Sequence, residues 1–151
     1  MLGKNFLMSH LSIQQVLVLF RLTWLAISPQ RNNALDLPIL TILKESYLLW
    51  HNFLPHLPRL SRYTLGVKID KLFIEALELS LTAQYTRRED KLTFLKQFNR
   101  KLDNLKFFIT ILWEAKWLDA NKYAQLSQKL ATAGRILGKW IQSIPPEEKT
   151  I

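Results

Sequence analysis

Leu95-Lys96-Gln97-Phe98-Asn99-Arg100-Lys101-Leu102-Asp103-Asn104-Leu105-Lys106-Phe107-Phe108-Ile109-Thr110-Ile111-Leu112 is the stretch that decides the fold. Leu95, Phe98, Leu102, Leu105, Ile109 and Leu112 recur at alternating spacings of three and four. That period puts one apolar stripe on one face of an α-helix and the intervening lysines, arginine and asparagines on the others. Three further segments repeat the pattern. The first has Leu40, Leu43, Tyr47, Trp50 and Leu54; the second has Leu65, Ile69, Leu72, Ala76, Leu79 and Ala83. The last runs through Tyr123, Leu126, Leu130, Ala133, Leu137, Trp140 and Ile144.

Short connections separate these segments, so sequence neighbours should run antiparallel. The expectation is an all-α, up-down-up-down antiparallel four-helix bundle over residues 37–144. Leu54-Pro55-His56-Leu57-Pro58 marks a corner, because proline cannot continue a helix without losing a hydrogen bond. Asp119 is the natural N-cap of the fourth helix, since its carboxylate can accept from amides of the first turn. Pro145 and Pro146 close that helix and leave residues 145–151 as a tail.

Several large apolar residues fall off the core stripes: Leu48, Leu49, Phe73, Leu77, Phe94, Phe107, Phe108 and Ile111. One bundle core cannot bury them all, which points to a second buried surface and a homo-oligomer, with a docked N-terminal helix as an alternative cover for part of it. Gly134 and Gly138 sit inside the fourth periodic segment, where each costs about 1 kcal/mol against alanine. The gain expected in return is close approach, within the bundle or against a neighbouring subunit. Gly134, Gly138 and Trp140 are therefore assembly candidates, and Trp113 and Trp117, off the cleanest stripe, are interface candidates. Trp50, Trp113, Trp117 and Trp140 can alternatively stack on bases, although packing is the commoner use of a tryptophan at helical spacing.

The chain carries 21 Lys+Arg against 12 Asp+Glu, a net charge of +9. Charge of this size suits phosphates, anionic lipid or an acidic partner, or serves solubility alone. It concentrates around the third segment: Arg87, Arg88, Lys91, Lys96, Arg100, Lys101 and Lys106. Arg87 and Lys91, and Lys96 and Arg100, are four apart and share a helix face. Lys122 and Lys129 add to the basic surface from the fourth segment. No base-reading motif accompanies these cations, so binding to RNA or DNA should be electrostatic and weakly sequence-specific.

Catalytic chemistry is not expected. The chain has no cysteine, which fits a cytoplasmic setting, and His10, His51 and His56 have no metal-ligand spacing. Glu75 and Glu78 read as a solvated pair beside Lys71, and no Walker A loop or Ser/His/Asp set is present. No metal or cofactor is expected. Residues 1–36 stand apart. Leu11 to Ile27 is apolar but broken by Gln14, Gln15 and Arg21, and its unbroken core, Val16 to Phe20, is far too short to span a bilayer. Three readings stay open: an amphipathic helix on the bundle, a membrane-surface helix, or an extension outside the fold. Pro29 to Asp36 reads as a linker.

Two motifs add a resemblance. Leu57-Pro58-Arg59-Leu60-Ser61-Arg62-Tyr63-Thr64-Leu65-Gly66 resembles the corner of small bacterial four-helix bundle proteins related to the ribosomal-RNA intervening-sequence protein. Gly134-Arg135-Ile136-Leu137-Gly138-Lys139-Trp140-Ile141 resembles, more narrowly, the last helix of the accessory variability proteins (Avd) of diversity-generating retroelements. Tyr85, Leu95, Asn99, Lys101, Leu102 and Asp103 fit that branch, and the resemblance runs from Leu37 to Ile144. It implies a homopentameric barrel of four-helix bundles that binds a reverse transcriptase and its template RNA and supports error-prone cDNA synthesis. A basic position of the family matches Lys106; the next one falls on the neutral Thr110, which moves the expected contact toward Arg100 or Lys101. The alternative is a structural bundle of the intervening-sequence type with no nucleic-acid role.

Overall fold

Four helices account for nearly all of residues 37–145, which a computed structural model describes together with residues 12–16, 18 and 19. Contacts divide the chain into two units, Met1–Asn33 and Ala34–Ile151. In the first unit, residues 13–16 and 18–19 are helical. Ser12 and Gln15 form a reciprocal capping box there: Gln15 N donates to Ser12 Oγ at 3.3 Å and Ser12 N donates to Gln15 Oε1 at 3.2 Å. The linker read at Pro29 to Asp36 and the tail beyond Pro145 lie outside the described residues. Among the described residues no helix is long and apolar enough to cross a membrane.

In the second unit, helix α1 is Pro38–Phe53, with proline in its first turn, where the missing amide costs nothing. Pro55 ends it in a single 3-10 turn, Leu54–His56. After Pro58 the chain makes one helical turn, Arg59–Ser61, then a wider π turn, Arg62–Gly66, that leads into α2, Val67–Tyr85. The corner is tied by Arg62, whose guanidinium donates to the carbonyl oxygens of Pro55 and Leu57. Gly66 packs closely here: a Cβ would stand 2.8 Å from Leu54 Cδ1, so any larger residue would make the Leu54 side chain shift.

Helix α3 is Arg88–Glu114 and α4 is Ala120–Gln142. Asp119 caps α4 as expected, accepting from Lys122 N at 2.9 Å. The end of α3 closes with a Schellman pattern: Trp117 N donates to Leu112 O, and Lys116 N donates to Trp113 O, both at 2.9 Å. Lys116 holds the left-handed position, φ 61°, that glycine usually fills. Lys116→Gly is therefore expected to stabilise the bundle by about 1 kcal/mol, read as a higher urea midpoint at constant m-value.

Each helix packs antiparallel on its sequence neighbours and α1 closes on α4, which gives the expected bundle order. The entire predicted stripe of α3 is buried, as are Leu43 and Trp50 of α1, Ile69, Leu72 and Ala76 of α2, and Leu126, Leu130, Ala133 and Leu137 of α4. One apolar assignment needs correction. Phe73, placed off the core stripe, is fully buried, because it stands four residues from Ile69 and meets Tyr47 of α1 at 5.7 Å between ring centroids. Leu49, Leu77, Phe94 and Phe108 pack partly against the core, whereas Leu48 and Phe107 remain exposed.

Candidate nucleic-acid interface

Structure divides the nine candidate cations into two sets. Lys101, Lys106, Lys122 and Lys129 are engaged within the chain. Lys101 Nζ stands 2.8 Å from Glu75 of α2, and Lys129 Nζ stands 2.8 Å from Glu45 of α1. Lys106 reaches Asp103 at 3.4 Å. Lys122 reaches Asp119 at 3.2 Å, and its ammonium lies 5.9 Å from the Phe53 ring centroid. By contrast, Arg87, Arg88, Lys91, Lys96 and Arg100 make no ion pair or side-chain hydrogen bond among the described residues.

Helix geometry positions the second set. Arg87, Arg88 and Lys91 cluster at the start of α3, where unpaired backbone amides add positive potential. Glu89 and Asp90 share that turn and offset part of it. Lys96 and Arg100 are exposed, one turn apart, on a side of α3 away from its buried stripe. Unpaired, solvated cations keep their full charge for a polyanion, whereas the paired lysines must first give up a carboxylate.

The ion pairs leave their mark on the acids. The Lys129 hydrogen bond and charge hold the Glu45 carboxyl below its ordinary pKa. Glu75 is held low chiefly by its hydrogen bond from Lys101, against the opposing effect of burial. Asp119 is lowered first by the backbone amide of Lys122. A depressed folded-state pKa contributes stability above the unfolded value, and that stability is lost as pH falls through the folded one. Glu75→Gln is thus expected to destabilise the bundle near neutral pH by at most about 1 kcal/mol, for so solvated a pair. The difference from the parent should shrink in a melting series as pH falls below the ordinary glutamate value and vanish once the folded-state carboxyl is protonated.

Lys71 does lie beside Glu75, 3.9 Å away, but the closer partner, at 2.8 Å, is Lys101 of the adjacent helix, which sequence spacing did not find. A second pairing that patterning did not find joins α1 to α2. His51 Nε2 lies 3.0 Å from Asp70 Oδ1. Tyr47, its ring edge-on to His51 at 4.7 Å, has its pKa raised by burial and by the Asp70 carboxylate. Among the described residues no group of three or more His, Asp or Glu is placed to hold a metal ion.

The assembly candidates also separate. A Cβ at Gly134 would meet Lys106 Nζ at 3.0 Å, so this glycine makes room for a lysine lying over α4 from α3. Gly138 has nothing within 4 Å of its Cβ position, so close packing inside the bundle does not account for it. Trp140 packs partly against the core. Trp113 stacks on Tyr123 with centroids 4.6 Å apart and planes 8° from parallel, and Tyr123 in turn meets the Thr110 hydroxyl at 3.3 Å. Trp113 and Trp117 stay 41% and 39% exposed, so neither is consumed by the bundle.

Compared with known families, residues 42–144 match the model described as bAvd-like. No curated protein matches the chain, and no solved structure matches it.

Proposed function

Because the chain belongs to the bAvd-like family, that of the accessory variability determinants, we propose that it is a non-catalytic accessory protein of a diversity-generating retroelement. In this reading it binds the retroelement's reverse transcriptase and its template RNA or cDNA and supports mutagenic reverse transcription. One observation supports the nucleic-acid part most directly: five basic residues at and along α3 have no partner among the described residues. Phosphate backbones are the partner such a surface suits, and the contact would carry little sequence preference.

We further propose that the chain acts as a homopentamer whose subunit contacts include the Gly138 side of α4 and, separately, Trp113 and Trp117 toward the other end of that helix. Gly138 supports this reading because its helix cost is matched by no contact within the protomer. Gly138→Ala is expected to stabilise the separated protomer by about 1 kcal/mol in urea unfolding. Gly138→Leu is expected to reduce the solution mass of the assembly, measured by light scattering.

The functional test is reconstituted cDNA synthesis by a reverse transcriptase of the same retroelement on its template RNA. The expected result is mutagenic cDNA only when this protein is added. Equal yield and error rate without it would overturn the proposal.

A further inference from the structure

Along the outer side of α3, an exposed phenylalanine stands in line with the unpaired cations. Lys96, Arg100, Asn104, Phe107 and Ile111 follow at spacings of four, four, three and four, and so share one strip of helix surface. Phe107 is 62% exposed. A lone exposed apolar residue is ordinary on any surface. The alignment is not, because Lys96 and Arg100 on the same strip have no charge partner among the described residues. A shallow depression of about 300 Å³ at Arg100 is lined by Gln97, Arg100, Lys101 and Asn104. The Phe107 ring is restrained by a T-shaped contact with Phe108 at 5.8 Å, and Phe108 itself packs on the core.

From this juxtaposition we infer that the strip binds single-stranded nucleic acid, with Phe107 stacking on an unpaired base while Lys96 and Arg100 hold neighbouring phosphates. The inference rests on the reading of α3 as the nucleic-acid surface and narrows it to an unpaired strand. Seven residues separate Arg100 from Phe107, about 10.5 Å of helix, or roughly three nucleotide rises of a stacked strand. Aromatic stacking tolerates any base, since every base has a π-face, so it adds affinity without a base-reading motif. A duplex cannot use it. Its bases are stacked inside, and the major groove of A-form RNA is too narrow to admit side chains. The strip therefore distinguishes an open template or nascent cDNA from a paired one.

The test uses the full chain and fluorescently labelled RNA and DNA oligonucleotides of one mixed sequence, each single-stranded and as a duplex. Phe107→Ala is expected to weaken binding of both single strands about 5- to 100-fold, with duplex affinity and salt slope unchanged. Arg100→Gln should instead make the salt slope shallower by about 0.7. Phe107→Trp should retain affinity, and its fluorescence should be quenched as either strand is added. Unchanged single-strand affinity in Phe107→Ala would overturn the inference while leaving the cationic surface in place. A lowered solution mass of Phe107→Ala would also overturn it, by assigning Phe107 to a contact with a second copy. Failure of the parent to bind any strand at low salt would overturn the broader reading of α3 as well.

Discussion

Replacing Arg87, Arg88, Lys91, Lys96 and Arg100 together by glutamine is expected to weaken binding of single-stranded RNA by about 100-fold at roughly 50 mM salt. The same variant should keep the parent's helical circular dichroism and melting temperature. Both halves follow from one fact: these side chains have no ion pair or hydrogen bond to lose among the described residues. Removing them even relieves like-charge pairs one turn apart, Arg87 with Lys91 and Lys96 with Arg100. A companion variant with glutamine at Lys101, Lys106, Lys122 and Lys129 should behave in the opposite sense. It strips Glu75, Asp103, Asp119 and Glu45 of their cations, so it should melt earlier and lose less RNA affinity. Fluorescence anisotropy and thermal melts of the two variants separate a functional cation set from a structural one. Equal loss of affinity in both would deny that division.

The largest effect on the fold should come from Phe98→Ala. Phe98 is one of the three largest fully buried side chains, with Trp50 and Phe73. Truncating it removes a ring's worth of transfer free energy and leaves a cavity that rigid helices close only in part, a cost of about 3–5 kcal/mol. For a domain of this size that corresponds to a fall of the order of 15–30 °C in melting temperature. Phe107→Ala, at the opposite extreme of exposure on the same helix, should shift the melt by little. A Phe98→Ala protein that melts with the parent would mean that the α3 stripe does not form the core.

Much of this architecture can be read from residue order alone, for reasons that differ by helix. The α3 stripe is complete in the sequence, because a narrow face with a strict three-four spacing turns toward the bundle axis along the whole helix. Helix α2 is less transparent. It buries Phe73 and Ser80 beside Leu72 and Ala76, a face wider than a single stripe, and so a core phenylalanine reads as surplus. Gly134 was legible as a cost but not as a berth for Lys106, and Gly138 as a cost without a contact. The ion pairs were hidden for another reason. Lys101 with Glu75, Lys129 with Glu45 and His51 with Asp70 all join different helices, and their register is fixed by corner geometry rather than by local spacing. Charge counts consequently find the basic region around α3 but cannot separate spent cations from available ones. The corner and last-helix motifs both lie within residues 42–144, the span matched by the family model.

In the proposed function, the cations of α3 left unpaired by the fold hold a phosphate backbone. The most direct test is the slope of log affinity against log salt for the full chain and a single-stranded RNA. Five phosphate contacts predict a slope of about −3.5, flattening toward zero in the five-glutamine variant. A parent slope near zero, or one that the five substitutions leave unchanged, would mean that these cations do not hold the strand.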